Sequence, residues 1–400
     1  MKIAITHPAT FSRIRRGTER FVHELAVYLA RKGHEVRVIA SKPGPRVAQL
    51  KNGYIEDCHR RLWHPSLARF GVIEAHAFLL TTLRELIRNR YDIVQCCSFT
   101  DAFAAGIAER YTHTPYVFLV NGLPPRIRYY RSLTLHGAVF HQAIHWAAEI
   151  IAISDYVQQY LDKRFRRSGV RIPVPVNTDI FKLSKGSTKE RPIILCAAAL
   201  DDRRKGGRVL LRAFNQLKER RPDVVLQISS AIPDSVREQL LELVDVRWRH
   251  DVYFLGAGRV EDLPKLFGQA SITVLPSVWE PFGMVILESM ATGTPVVGTR
   301  DGAIPELINN ERVGRLFDPG PSAAVEPTNA EGLMHAMLQG LELSQKPETA
   351  VHCREHAEGF GWERIGPRFE DIYSMVQQHA RSSRKKVATA LAETKHANLD

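Results

Sequence analysis

The sequence is poor in cysteine and has no long apolar run. Its 400 residues contain five cysteines, Cys58, Cys96, Cys97, Cys196 and Cys353, and no CxxC pair. That excludes a disulfide framework and points to a reduced, cytoplasmic setting. No apolar stretch approaches the ~18 residues a membrane span needs. The start, Met1 to Thr6, reads as a first strand rather than a leader peptide. His136, His141 and His145 are scattered without ligand spacing, so no metal is expected. Neither a Ser-His-Asp nor a Cys-His set is present to supply a protein nucleophile. Gly256-Ala-Gly258 lacks the third glycine of a dinucleotide fingerprint. No aromatic–basic module marks a nucleic-acid binder.

Charge is abundant but uneven. Of the formal +12, residues 1–182 carry 27 Lys and Arg against 14 Asp and Glu, while residues 183–400 carry 28 against 29. A basic half suits phosphorylated acceptors or the anionic inner face of a membrane. Residues 61–90, with Arg61, Leu62, Trp63, Leu67, Phe70 and Ile73 at their start, read as helices with apolar faces and basic flanks. Packing on a sheet explains those faces better than membrane contact does.

Strands and helices alternate throughout. Lys2 to Thr6, a basic loop from Phe11 through Arg16 to Gly17, a helix from about Thr18 to Lys32 and a strand from Glu35 to Ala40 make a β-α-β unit. Further strands follow at Asp92 to Gln95, Tyr116 to Val120 and Glu149 to Ile153, with Ser154 as the N-cap of the next helix. Pro124 to His145 is basic and aromatic and could border an acceptor. Residues 183–192 have linker composition, and strand Ile193 to Ala197 opens a second alternation. The fold class expected is α/β, with two doubly wound Rossmann-like domains. Trp362, Ile365, Phe369, Ile372, Tyr373 and Val376 repeat at helical spacing. From 381 to 400 the chain reads as disordered or loosely helical.

The stretch 275–299 carries the chemistry. Ser271 to Leu275 is a buried strand, broken at Pro276 and Ser277. Pro281 presets the first turn of a helix, Gly283 admits close approach to the backbone, and Gly293 ends the helix before a strand from Pro295 to Gly298. Glu280 lies in the loop at the strand's C-terminal end, where open α/β sheets bind ligands. Glu288 lies about two turns into the helix. Two acceptor-only carboxylates beside free helix N–H groups suit a polyhydroxylated, phosphorylated ligand. Arg203, Arg204 and Lys205, before Gly206, gather cations at another strand-to-helix turn.

Over about twenty residues, with Pro281-Phe282-Gly283 after Glu280 and Gly293-Thr294-Pro295 after Glu288, this string resembles the two-glutamate motif of the retaining GT-B glycosyltransferases of family four, or group one. The resemblance implies two domains facing a cleft. Residues 1–182 would bind the acceptor and 193–361 a nucleotide sugar, with a helix at 362–380 crossing back onto the first domain. It implies that Glu280 contacts the donor sugar and Glu288 the nucleotide ribose. Pro281, Phe282, Gly283, Met284 and Val285 would line the donor, and the turn at 256–258 would adjoin the base. Lys205 matches the lysine that stabilises the leaving diphosphate. Ala199 stands where the family has an upstream arginine, so Arg203 or Arg204 must substitute. Gly17 falls where a glycine-rich loop faces the donor phosphates, and Asn121 where many members have a histidine touching the sugar. The implied reaction moves a sugar from a nucleoside-diphosphate donor to a glycan or lipid-linked acceptor with retention, without a metal or other cofactor. A protein of the same fold that binds sugar nucleotides without transfer is the alternative.

Overall fold

Every position of Tyr116–Val120 is buried, as a strand covered on both faces must be. The structure, a computed structural model, describes all residues but 12–16, 43, 61–73, 124–134, 185–190, 257, 259, 322–324 and 398–400. The basic loop through Arg16, the positions from Arg61 to Ile73, and Arg126, Arg128, Tyr129, Tyr130 and Arg131 therefore lie outside the described residues. The chain divides into two units. The first comprises Met1–Ile153, Val157–Ile172 and Ile365–Asp400, and the second Ser154–Tyr156 and Pro173–Arg364.

The first unit holds β1 (Lys2–Thr6), β2 (Glu35–Lys42), β3 (Val47–Lys51), β4 (Tyr54–Arg60), β5 (Ile93–Cys96), β6 (Tyr116–Val120), β7 (Glu149–Ala152) and β8 (Val170–Arg171). Their order is β3-β4-β2-β1-β5-β6-β7-β8. All pairs are parallel except the β3–β4 hairpin. That hairpin turns through Asn52 and Gly53, both at positive φ, the backbone an Asn-Gly turn supplies. The connecting helices are α1 (Gly17–Arg31), α2 (Glu74–Arg88), α3 (Phe99–Thr112), α4 (Leu135–Trp146) and α5 (Asp155–Phe165).

The second unit has β9 (Ile193–Cys196), β10 (Val225–Ile228), β11 (Val252–Phe254), β12 (Ile272–Leu275), β13 (Val296–Thr299) and β14 (Gly314–Phe317). They form one parallel sheet ordered β11-β10-β9-β12-β13-β14. Helices α6 (Gly207–Lys218), α7 (Asp234–Leu241), α8 (Leu263–Gln269), α9 (Met284–Ala291), α10 (Ile304–Leu307), α11 (Ala330–Ser344) and α12 (Thr349–Glu358) connect or cover it. The strand order changes direction at β9 and β12, the switch point at which doubly wound sheets place ligands.

The last helix, Trp362–Ala397, belongs from Ile365 onward to the first unit. Phe369 packs on Phe21, with ring centroids 5.7 Å apart. The buried Tyr373 hydroxyl donates to Gln95 Oε1 at 2.8 Å, and Tyr28 donates to Glu370 at 3.0 Å. The helix continues through residues 381–397, where composition alone suggests disorder or loose helix. Among the described residues, no helix is long and apolar enough to cross a membrane.

Two local expectations need correction. Helix α9 starts at Met284, so Pro281 lies before its first turn. Gly283, at φ +98, is the residue that turns the chain into the helix. Glu288 is consequently about one turn inside, not two. The hydroxyl of Ser154 donates to the carbonyl of Pro281 at 2.7 Å. The first N–H groups of α5, at Asp155 and Tyr156, are taken by the Glu306 carboxylate at 2.8 Å each. An acid at a helix N-terminus satisfies orphan donors as well as a local cap does.

Candidate functional site

In the second unit, two strand-to-helix turns meet. The first follows β9: Asp202 accepts from the N–H of Arg204 at 3.0 Å and starts the short helical turn Arg203–Lys205. Gly206 then reverses at φ +73, and a Cβ there would strike the Pro276 carbonyl. The second follows β12 and runs from Pro276 to Gly283. A backbone bond from Val278 N to Arg204 O, 2.8 Å, stitches the two turns together. The Thr299 hydroxyl donates to the Ser277 carbonyl from the end of β13.

This arrangement brings Lys205 and Glu280 together. Lys205 Nζ lies 2.5 Å from Glu280 Oε2, with the side chains 26% and 12% exposed. Partial burial strengthens such a pair relative to one in open water. Glu288, 3% exposed, stands on α9, the helix that the Glu280 loop opens. Ser289 secures that helix, donating to Thr273 on β12 at 2.8 Å. Pro281, Phe282 and Gly283 make the loop, and Met284 and Val285 begin the helix, where N–H groups lack intrahelical acceptors.

The other two cations of the turn are held elsewhere. Arg204 Nη2 contacts Asp202 at 2.6 Å. Burial would raise the Asp202 carboxyl, but hydrogen bonds from Arg204 outweigh it and hold the group below its ordinary range. Arg203, more exposed, forks onto Glu326 at 2.8 and 3.1 Å. Its hydrogen bonds keep the Glu326 carboxyl low. Ala199 is exposed and offers its carbonyl to Asp202 N.

In the first unit, Gly17 opens α1 and Asn121 follows β6 directly. The Asn121 amide donates to the Cys97 carbonyl at 2.9 Å and to Thr18 Oγ1 at 3.4 Å. These residues therefore gather at the C-terminal ends of β5 and β6. The fully buried Asp101 lies beside them and was not singled out from the sequence. Thr6 donates to it at 2.5 Å and Cys97 N at 3.3 Å. Burial pushes its carboxyl up to about 7. An acid three residues into a helix reads as a dipole partner, so only the three-dimensional setting discloses this one.

Asp57, His59 and Glu85 bring ligand atoms within 4.8 Å of one another. Arg37 lies 2.9 Å and Arg46 2.5 Å from Asp57, and Arg46 reaches Glu85 at 3.5 Å. Two guanidiniums thus neutralise the carboxylates a cation would need, and the cluster is an internal ionic network.

The fold recurs in the solved structure of the HepE protein of Anabaena in complex with UDP and glucose. That likeness has a TM-score of 0.69, 19% identity, and covers 94% of this chain and 100% of that one. A glycosyltransferase of Methanocaldococcus jannaschii is 28% identical over 330 residues, 78% of this chain and 83% of its own length. The phosphatidyl-myo-inositol mannosyltransferase of Propionibacterium freudenreichii is 25% identical over 405 residues, 96% of this chain and 97% of its own. Two family models divide the sequence between them: Glycosyltransferase Family 4 matches residues 15–180, and Glycosyl transferases group 1 matches residues 191–342. The chain belongs to the group 1 glycosyltransferases of family four, enzymes that transfer sugars.

Proposed function

We propose that this glycosyltransferase moves a hexose from a nucleoside-diphosphate sugar to a glycan or lipid-linked acceptor, with retention at the anomeric carbon and without a metal. The observation that carries the reading is the contact of Lys205 with Glu280 at 2.5 Å, at the ligand-binding rim of a parallel sheet. Lys205 is a compact cation for the diphosphate, and Glu280 an acceptor for sugar hydroxyls. Glu288, one turn into α9, takes the ribose hydroxyls, and the backbone from Pro281 to Val285 follows the donor. Arg204 leaves Asp202 to supply the second cation that Ala199 does not. Gly17 and Asn121 keep the donor-binding roles that the family resemblance gives them.

In this reading the bond between the anomeric carbon and the phosphate oxygen breaks, with Lys205 stabilising the charge that develops on the diphosphate. The acceptor oxygen bonds to the same face of that carbon, and its proton passes to the departing phosphate. No protein nucleophile is required. A named mannosyltransferase among the relatives, and a structural neighbour holding UDP and glucose, support a nucleotide-sugar donor. The excess of cations in residues 1–182 supports an acceptor with an anionic group, presented on a membrane surface.

The test is release of nucleoside diphosphate from a panel of sugar nucleotides, offered with glycan and anionic lipid acceptors. Release from one donor, with product of unchanged anomeric configuration, is the expected result. Failure to release from any donor, or an inverted product, overturns the proposal. Flotation with anionic liposomes at low salt tests the membrane surface, and a protein left at the bottom of the gradient argues against it.

A further inference from the structure

The backbone of Glu280 is held by a second loop, residues 300–303, which follows β13. Three contacts join the two. The carboxylate of Asp301 accepts from Trp279 N at 2.6 Å. Ala303 N donates to the Glu280 carbonyl at 2.9 Å. Gly302, at φ +61, lies so close that a Cβ would stand 2.5 Å from Glu280 O and 2.9 Å from Glu280 N. The two loops touch at the residue that bears the carboxylate and at the one before it.

Trp279 has φ +59. An L-residue in the left-handed region is disfavoured because its Cβ crowds the backbone, and a bulky one is a rare occupant. Trp279 is also 8% exposed, so its N–H could not turn to water if the loop partner were lost. A hydrogen bond to an ionised carboxylate is about twice as strong as one between neutral groups. It compensates for the strain and satisfies the buried donor together. The backbone angles at Trp279 in turn set the direction in which Glu280 leaves the strand end. Relaxed to the ordinary right-handed or extended region, the same chain would carry the Glu280 carboxylate away from Lys205.

We infer that Asp301 is a positioning residue for sugar transfer: its carboxylate locks Trp279 in the left-handed turn and so aims Glu280 at the donor sugar. The inference rests on the proposal that Glu280 contacts that sugar. Asp301 itself touches neither substrate nor reacting atoms. Its effect passes through the backbone of Trp279 and Glu280 and leaves the ribose-side carboxylate, Glu288, in place.

The experiment compares Asp301→Ala, Asp301→Asn, Glu280→Gln and the double variant Asp301→Ala/Glu280→Gln in steady-state turnover, nucleoside-diphosphate titration and thermal melting. A misplacement of about 1 Å at a reacting centre can cost on the order of 10²-fold. Asp301→Ala is therefore expected to lower kcat by about 10²-fold while nucleoside-diphosphate affinity holds. Asp301→Asn, whose side-chain oxygen can still accept from Trp279 N, should recover most of the rate. In the Glu280→Gln background, Asp301→Ala should cost little more, because residues acting through one group are not additive. Equal losses in the alanine and asparagine variants, or a full additional loss in the double variant, would assign Asp301 a merely structural part and overturn the inference. Wild-type turnover of Asp301→Ala beside a crippled Glu280→Gln would overturn it alone. Wild-type turnover of Glu280→Gln would remove the donor-sugar assignment as well.

Discussion

The Nζ of Lys205 and Oε2 of Glu280 are 2.5 Å apart, although their proposed partners lie at opposite ends of one bond, the diphosphate for the lysine and the sugar for the glutamate. Without donor, each is the other's counter-ion, which lowers the cost of holding two partly buried charges ready. Donor binding must exchange this contact for two others, phosphate on nitrogen and hydroxyl on oxygen. The lysine's contact strengthens as charge collects on the leaving group, whereas uniform binding would not speed the step.

Replacing Lys205 by Ala should therefore act on turnover. Removal of one preorganised electrostatic contact costs ~10²–10³ in rate, and that drop is expected in kcat with the melting temperature little changed. Steady-state kinetics on purified protein checks it. Normal turnover in the variant would refute the role.

The neighbouring arginines should separate. Arg203 sits in an exposed fork with Glu326, where solvent and salt screen the pair so that it contributes little. Arg204 is less exposed and one residue from Lys205, and it is proposed to leave Asp202 for the diphosphate. Arg204→Ala is expected to lower kcat/KM by at least ~10-fold, about 1.4 kcal/mol, and Arg203→Ala to leave it nearly unchanged. The reverse order would move the second cation to Arg203.

Much of the architecture is legible because buried parallel strands read as unbroken apolar runs. Tyr116–Val120 and Ile193–Cys196 needed no tertiary information. Proline is a frequent first helical residue, so the sequence alone points to Pro281 as the start of α9, whereas the left-handed Gly283 turns the chain three residues after Glu280. The part of Glu306 at the start of α5 could not be read locally, since it lies about 150 residues from the N–H groups it satisfies. The β3–β4 hairpin did carry a signal, Asn52-Gly53, that a search for parallel units passes over. The motif singles out Glu280, Glu288 and Lys205, and the structure sets Lys205 against Glu280. The partners that fix them, Asp301 for Trp279 and Asp202 for Arg204, have no periodic signature and emerge only from packing.

Glu288 is 3% exposed on α9, and since the proposal gives it the ribose and not the sugar, its substitution tests binding more than chemistry. Glu288→Gln keeps the shape but should weaken acceptance from the ribose hydroxyls that the proposed function gives to Glu288. Hydrogen bonds to charged groups are each worth about 1.5–3 kcal/mol, so a loss of ~10–100-fold in nucleotide affinity is expected. Isothermal titration with nucleoside diphosphate measures it directly, and an unchanged Kd would mean that the ribose lies elsewhere.

Because the leaving group's charge is assigned to Lys205 and Arg204, the reaction should need no divalent ion. Activity assayed in a chelator, after dialysis, is expected to match that of untreated protein. A loss restored by added magnesium or manganese would place a cation on the diphosphate and shrink the part given to Lys205.

Asp101 offers a test through pH. Burial raises its carboxyl from the usual aspartate range, ~3.9 in an unfolded chain, to about 7 in the fold. Between those values the native state keeps a proton that the unfolded chain has released, so stability falls as pH rises through the window and levels off above it. The group's full contribution is present only below about pH 4. A shift of this size corresponds to a few kcal/mol. Asp101→Asn is nearly isosteric, can still accept from Thr6, and carries no charge at any pH. Its melting temperature relative to wild type should therefore rise from pH 5 to pH 8, because at pH 8 the wild type must hold a buried carboxylate. Melting curves of both proteins at a series of pH values measure the difference. A difference constant across that range would mean that Asp101 is ionised throughout and that Thr6 and Cys97 N stabilise its charge fully.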